Sequence, residues 1–301
     1  MGKNMLVWLF VIVLCVVIFT QSKAEPQAEL IPRVYLPIIM GPPEFRCATS
    51  SNNQYSSGTV AQYDTDNPVR PAYNHADKNI ELRGYVANTD PNLKRELVDY
   101  GSGDPTQPPQ FATLFSPPQV PPFAAFYRVH QWDWATSPEP GTRREPIDVP
   151  PTTAVSFILP PGKTLHTPVS GYDIGGGQEV IVLFADADTV TLHYTREDSA
   201  ATGYTLHLDQ ICTDPNLLNL YNALDAATGP RYQYPNVHYQ LPTLAAGQTF
   251  GTTSTLHMVV AIADTGAFQD PRSCDEWWQI RPNYAGTCPP SWSILANGEA
   301  D

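Results

Sequence analysis

The stretch GTTSTLHMVV (251–260) sets one imidazole, His257, into an otherwise ordinary strand pattern. A histidine there has two readings: a ligand to a divalent cation, or a hydrogen-bonded strand residue. Two other strand-like stretches carry one histidine each, His193 in DTVTLHYT and His207 in GYTLHLDQI. Thr191 and Thr195 flank His193 on its own side of the strand, so that side reads as polar and solvent-facing. HQWDW puts Trp132 and Trp134 on one strand face, where they either stack on a sugar or peptide ligand or pack into the core. The acidic runs ADAD (185–188) and YDTDN (63–67) lack the twelve-residue spacing of an EF-hand calcium loop and are expected to be turns. The chain has no GxSxG elbow, phosphate loop or dinucleotide glycine fingerprint, so a nucleotide role has no support.

The elements that would position these side chains are mostly strands. AVSFIL, QEVIVLFA, DTVTLHYT, GYTLHLDQI and TLHMVVAIA follow one another from residue 154, separated by Gly, Asp, Asn or Pro-Gly turns. Short β-rich runs at that spacing predict an all-β fold, an antiparallel β-sandwich or open barrel. NIELRGYVA (79–87) and FAAFYRVHQWDW (123–134) add two more predicted strands. One short helix interrupts them: Asp214 suits the N-cap, Pro215 the first turn, and Leu217, Leu218, Tyr221 and Leu224 share a face, with Gly229 as the stop. Residues 48–75 read as loop, and prolines clustered between Asp104 and Pro161 leave little room for another helix. The expected organisation is an irregular Pro/Asn/Ser-rich region over 25–122, a β domain over 123–280 and a tail over 281–301.

Lys3, an apolar run from Met5 to Phe19 and a small-x-small site ending at Ala24 describe a secretory signal peptide over residues 1–24. The run is shorter than the roughly 20 residues that span a membrane. Its removal would leave 301 − 24 = 277 residues with 15 Lys+Arg against 30 Asp+Glu, a net charge near −15. So acidic a chain, without a basic cluster, argues against nucleic acid and against an anionic membrane surface as partners. Cys47, Cys212, Cys274 and Cys288 remain, an even number suited to disulfides in an exported protein. The short Cys274–Cys288 loop favours that pair and leaves Cys47 to Cys212. No C-x-x-C zinc spacing is present. The nearby DEWW, with Trp277 and Trp278, is expected to clamp the end of the domain.

Taken in order, SGYDIGGGQEVIVLFADADTVTLHY, GYTLHLDQI and LPTLAAGQTFGTTSTLHMVVAI supply a Gly-x-Asp, a glycine-rich turn, a strand with a histidine, an Ala-Gly-Gln turn and a final histidine strand. Over about residues 166–264 this order resembles the lysostaphin-type peptidoglycan metallopeptidases. The resemblance implies a zinc site with Asp173 and His257 as ligands, and His207 as the catalytic histidine that stabilises the transition state. Gly247, Gln248 and Gly251 match the turn before the last strand. Three departures stand out. Val169 occupies the family's first-ligand position, and the nearest histidine is His166, seven residues before Asp173. Thr255 replaces the first histidine of the final H-x-H, the general base. The approach to the last strand is shortened to Thr252-Thr253-Ser254. A catalytic zinc needs three protein ligands and a water, and loss of the base removes a rate contribution of typically 10²–10⁴. The expectation is an exported cell-envelope protein whose peptidase-like domain is inactive and binds peptidoglycan or a cell-surface protein. An active zinc endopeptidase using His166, Asp173 and His257 with His207, or a structural or adhesive β-sandwich, are the alternatives.

Overall fold

A computed structural model of the chain describes residues 45–60, 72–99, 108–134, 141–228, 239–286 and 288. Every described residue belongs to one compact unit within residues 44–301. The signal segment, the 63–67 acidic run and Gly229 lie outside the described residues.

The strands are β1 (Ser56–Thr59), β2 (Tyr85–Ala87), β3 (Phe123–Asp133), β4 (Thr142–Pro146), β5 (Ala154–Ile158), β6 (Thr164–His166) and β7 (Val180–Ala185). They continue as β8 (Thr189–His193), β9 (Tyr204–Asp209), β10 (Ile211–Thr213), β11 (Gln240–Leu244), β12 (Thr249–Thr253), β13 (His257–Asp264) and β14 (Ala267–Phe268). The α-helices are α1 (Ile80–Arg83), α2 (Pro215–Thr228) and α3 (Cys274–Trp277), of which α2 alone exceeds one turn. The fold is all-β and sandwich-like. The large sheet runs β1-β11-β7-β8-β9-β13-β5-β3-β2, with β14 on β13 and β4 on β3, and a second sheet runs β10-β12-β6. Every ladder between these strands is antiparallel, and neither sheet closes on itself.

Period-two alternation gives the large sheet two unlike faces. On one face Val190, Leu192, Leu206, Leu208, Met258, Val260, Ile262, Val155 and Phe157 meet Leu165, Ile211 and Phe250 of the small sheet, Leu217 and Tyr221 of α2, and Phe111, Trp277 and Trp278. Trp278 stands edge-on to Phe157 at 5.7 Å, the geometry aromatic quadrupoles prefer. On the other face the same strands present Thr189, Thr191, His193, Thr205, His207, Asp209, Ala261 and Ser156, small or polar residues that are all buried. β7 is buried along its whole length, which explains its unbroken apolar sequence.

Helix α2 starts as its residues dictate. Asp214 Oδ1 accepts the backbone N–H of Asn216 at 2.9 Å, while its Oδ2 accepts from Ser51 Oγ at 2.6 Å and Asn53 Nδ2 at 2.7 Å. One N-cap thereby ties the helix to the 45–60 segment, beside the Cys47–Cys212 disulfide. The second disulfide, Cys274–Cys288, fixes the end of the domain, where Trp277 and Trp278 donate their indole N–H groups to Asp270 and Pro271 carbonyls, each at 2.9 Å. Both predicted cysteine pairings are present.

The N-terminal region differs from its predicted irregular form. β1 adds to the sheet at β11 and β2 at β3, so the sheet begins well before residue 123. NIELRGYVA is not one strand. Asn79 caps a single turn of helix by accepting from Glu81 N at 3.0 Å, and Gly84 at φ 60° reverses the chain into β2. A side-chain cap and a left-handed glycine override the alternating pattern there.

Candidate functional site

The polar face of β8 and β9 carries three buried ionisable groups, His193, His207 and Asp209. It is covered by the segment from Ala72 to Gly84 and by β14. Thr191 Oγ1 donates to the carbonyl of Lys78 at 2.6 Å and sits 3.2 Å from His207 Nδ1. His207 is 1% exposed and lies nearly parallel to the Phe268 ring, with centroids 5.6 Å apart. His193 has both ring nitrogens engaged, Nδ1 with Thr205 Oγ1 at 2.9 Å and Nε2 with Thr195 Oγ1 at 2.7 Å. The expectation that His193 faces solvent is corrected: its strand side is polar as read, yet it is 0% exposed. The 72–84 cover brings polar groups of its own, so this side is satisfied by protein rather than by water.

Burial sets the protonation of both rings. Desolvation pushes His193 down to about 3, with the Lys78 charge acting in the same direction. Desolvation, then the Arg83 charge, also pushes His207 down to about 3. Both imidazoles are therefore neutral at physiological pH. At the end of the same face Tyr85 OH donates to Asp209 Oδ2 at 2.6 Å and accepts from Gln210 Nε2 at 3.2 Å. Burial and that carboxylate raise the Tyr85 phenol above its ordinary value.

Beneath the cover, Lys78 and Asp198 form an ion pair, Nζ to Oδ1 2.9 Å, with both side chains 0% exposed. Asp198 comes from the β8–β9 loop, and its other oxygen accepts a hydrogen bond from the Tyr239 hydroxyl. Nothing in the sequence around Lys78 marks it as buried: A-D-K-N-I reads like a surface loop.

The four residues tied to a hydrolytic centre are dispersed. His166 is on β6 of the small sheet, with Nδ1 3.1 Å from the Gly247 carbonyl. Asp173 is exposed and accepts from Gly175 N at 2.7 Å, the turn that precedes the positive-φ glycines 175–177. His257 is the exposed first residue of β13. His207 stands opposite Ala261, four residues further along β13, or roughly 13 Å at the usual strand rise. Among the described residues, one group of three His, Cys, Asp or Glu side chains brings its ligand atoms within 4.8 Å of one another: Cys274, Asp275 and Cys288. Its two sulfurs are joined in a disulfide and offer no thiolate. His166, Asp173 and His257 form no such group, so the arrangement does not fit a three-ligand zinc. Val169, at the family's first-ligand position, instead donates its N–H to Thr113 Oγ1.

The chain matches no family model and no curated protein. Its chemistry has to be read from its own surface.

The described surface includes a pair of tryptophans. Trp132 and Trp134 stand at the end of β3, where β4 folds back to make a hairpin outside the main run of the sheet. Their ring centroids are 6.2 Å apart, and Trp134 leans on His75 at 4.9 Å. Both indoles are half-buried. Trp132 meets Gly141 so closely that a Cβ there would lie 2.5 Å from Nε1, and only glycine fits. Arg143, opposite Trp132 in the ladder, donates to the Leu82 and Glu81 carbonyls, and Arg144 pairs with Asp133 at 2.7 Å on the strand's other face. ADAD is a turn, with Asp186 Oδ1 accepting from Asp188 and Thr189 N–H groups at 3.1 and 2.7 Å.

Proposed function

We propose that this protein is a non-catalytic, extracytoplasmic β-sandwich module that binds the glycan of the cell wall through its β3–β4 hairpin. The observation that carries the reading is the half-buried Trp132–Trp134 pair at the hairpin end, with His75 packed against Trp134. Sugar rings present C–H faces that stack on indoles. Two disulfides are consistent with folding in an oxidising compartment outside the cytoplasm. No helix among the described residues is long and apolar enough to cross a membrane. The dispersal of His166, Asp173, His207 and His257 favours binding over hydrolysis, and the reading stands without lysostaphin-type ancestry.

The test is co-sedimentation of the purified protein with peptidoglycan sacculi, alongside Trp132→Ala/Trp134→Ala. Enrichment of the wild type, lost by about tenfold or more in the double variant with its circular dichroism intact, is the expected result. Equal sedimentation of the two proteins, or none above a control, would remove the hairpin as a glycan site and leave a structural role.

A further inference from the structure

We propose that Lys78 and Asp198 condense into an intramolecular isopeptide bond that staples the 72–84 cover to the β8–β9 loop. The ammonium and carboxylate are already in contact at 2.9 Å, and both side chains are wholly shielded from water. Exclusion of water matters twice. It lowers the cost of moving one proton from the ammonium to the carboxylate, because neither charge is well solvated to begin with. It also favours a reaction that releases water. Holding amine and acid in contact makes a bimolecular condensation effectively unimolecular, with the large rate advantage that fixed orientation gives.

Two further groups suit the step. The Tyr239 hydroxyl donates to the second carboxyl oxygen, polarising Cγ toward attack in the way an oxyanion donor does. His193, neutral and locked between Thr195 and Thr205, adds no competing positive charge to the pocket. After proton transfer the free amine of Lys78 attacks Asp198 Cγ, and a C–N bond forms. Oδ1, already protonated by the ammonium, takes a second proton from the attacking nitrogen, while Tyr239 keeps its hydrogen bond to Oδ2, the oxygen that remains as the amide carbonyl. One Cγ–O bond breaks, the oxygen leaves as water with two of the three ammonium hydrogens, and the third stays on the amide. Ammonium plus carboxylate becomes amide plus water, with no oxidant, nucleotide or metal consumed.

The bond would turn a buried ion pair into a permanent cross-link between residues 120 positions apart (198 − 78). In a protein that folds outside the cytoplasm it would act beside the two disulfides and, unlike them, would resist reduction.

Intact mass spectrometry of the folded full chain, reduced and denatured just before injection, is the deciding experiment. The expected mass is lighter than the sequence by one water, and digestion should yield one branched peptide joining the segments that hold Lys78 and Asp198. Lys78→Arg and Asp198→Ala should each restore the unmodified mass, and Tyr239→Phe should slow formation of the lighter species. Folded wild-type protein at the full sequence mass would overturn the proposal and leave an ion pair only. So would a missing water that maps to a cyclised aspartate rather than a branched peptide. Lys78→Arg leaves the hairpin untouched, so this outcome is independent of sacculus binding.

Discussion

Mild acid should weaken the fold through its two dry imidazoles, and His207→Asn isolates one of them. His207 is held to about 3 in the folded state by desolvation, against an ordinary value of 6.5 that the unfolded chain recovers. Above the unfolded value the ring is neutral in both states and contributes nothing to pH dependence. As the pH falls through the unfolded value, the unfolded chain takes up a proton that the folded protein refuses, so stability is lost progressively down to the folded value. At about pH 5 that loss is on the order of 2 kcal/mol for one imidazole. His193, also pushed down to about 3, adds a similar loss. Together they are a sizeable part of the roughly 5–15 kcal/mol that holds a typical domain folded. Glu179 and Glu276, raised by burial, work the other way and gain stability as the pH falls. For that reason the informative quantity is a difference between proteins. Asparagine keeps a polar group near Thr191 but does not titrate. Urea unfolding, followed by tryptophan fluorescence at about pH 7.5 and about pH 5, should show the wild type losing roughly 2 kcal/mol more than His207→Asn. Parallel losses, within about half a kcal/mol, would mean the ring is hydrated or charged in the native protein and would refute the buried polar layer as described.

Other perturbations follow from the same structure. The Cys47–Cys212 bridge spans 165 residues and the Cys274–Cys288 bridge 14, so replacing the first pair by serines should cost about 5 kcal/mol and the second about 3, read from denaturant midpoints. Phe157→Ala, at the centre of the aromatic cluster, should lower stability by about 3–5 kcal/mol and broaden the near-ultraviolet dichroism. Asp214→Ala should cost about 1–2 kcal/mol, because it removes an N-cap and the Ser51 and Asn53 contacts together, with protease sensitivity rising in the 45–60 segment. Protein equilibrated with zinc and passed through a desalting column should retain far less than one equivalent, measured by mass-spectrometric metal analysis. Stoichiometric zinc that is lost in His257→Ala would restore the metal-centre reading.

The extent to which the sequence anticipated this architecture can be traced residue by residue. Alternation in DTVTLHYT and GYTLHLDQI located β8 and β9, because a pleat sends neighbouring side chains to opposite faces whatever lies around them. Asp214-Pro215 located α2, because capping is satisfied within three residues. Number and spacing favoured one of the three possible cysteine connectivities, the one the fold contains. Period two says which residues share a face but not what covers that face, and this is where His193 was misplaced. Its cover comes from residues more than a hundred positions earlier. The same limit hid Lys78: a lysine has nothing in its local sequence to show that an aspartate 120 residues away will meet it in a dry pocket. The dispersal of His166, Asp173 and His257 had the same origin, since their order along the chain was visible and their separation between two sheets and a turn was not.

What the sequence determined by itself was therefore local: strand periodicity, a helix start, turn glycines and an acidic, disulfide-bearing composition. Each of these is decided by interactions between residues a few positions apart. The tertiary structure decided which polar side is sealed from water, which charges are forced into contact and which histidines never meet. Those outcomes depend on long-range packing, and burial is what turns an ordinary lysine, aspartate or imidazole into a group with unusual chemistry.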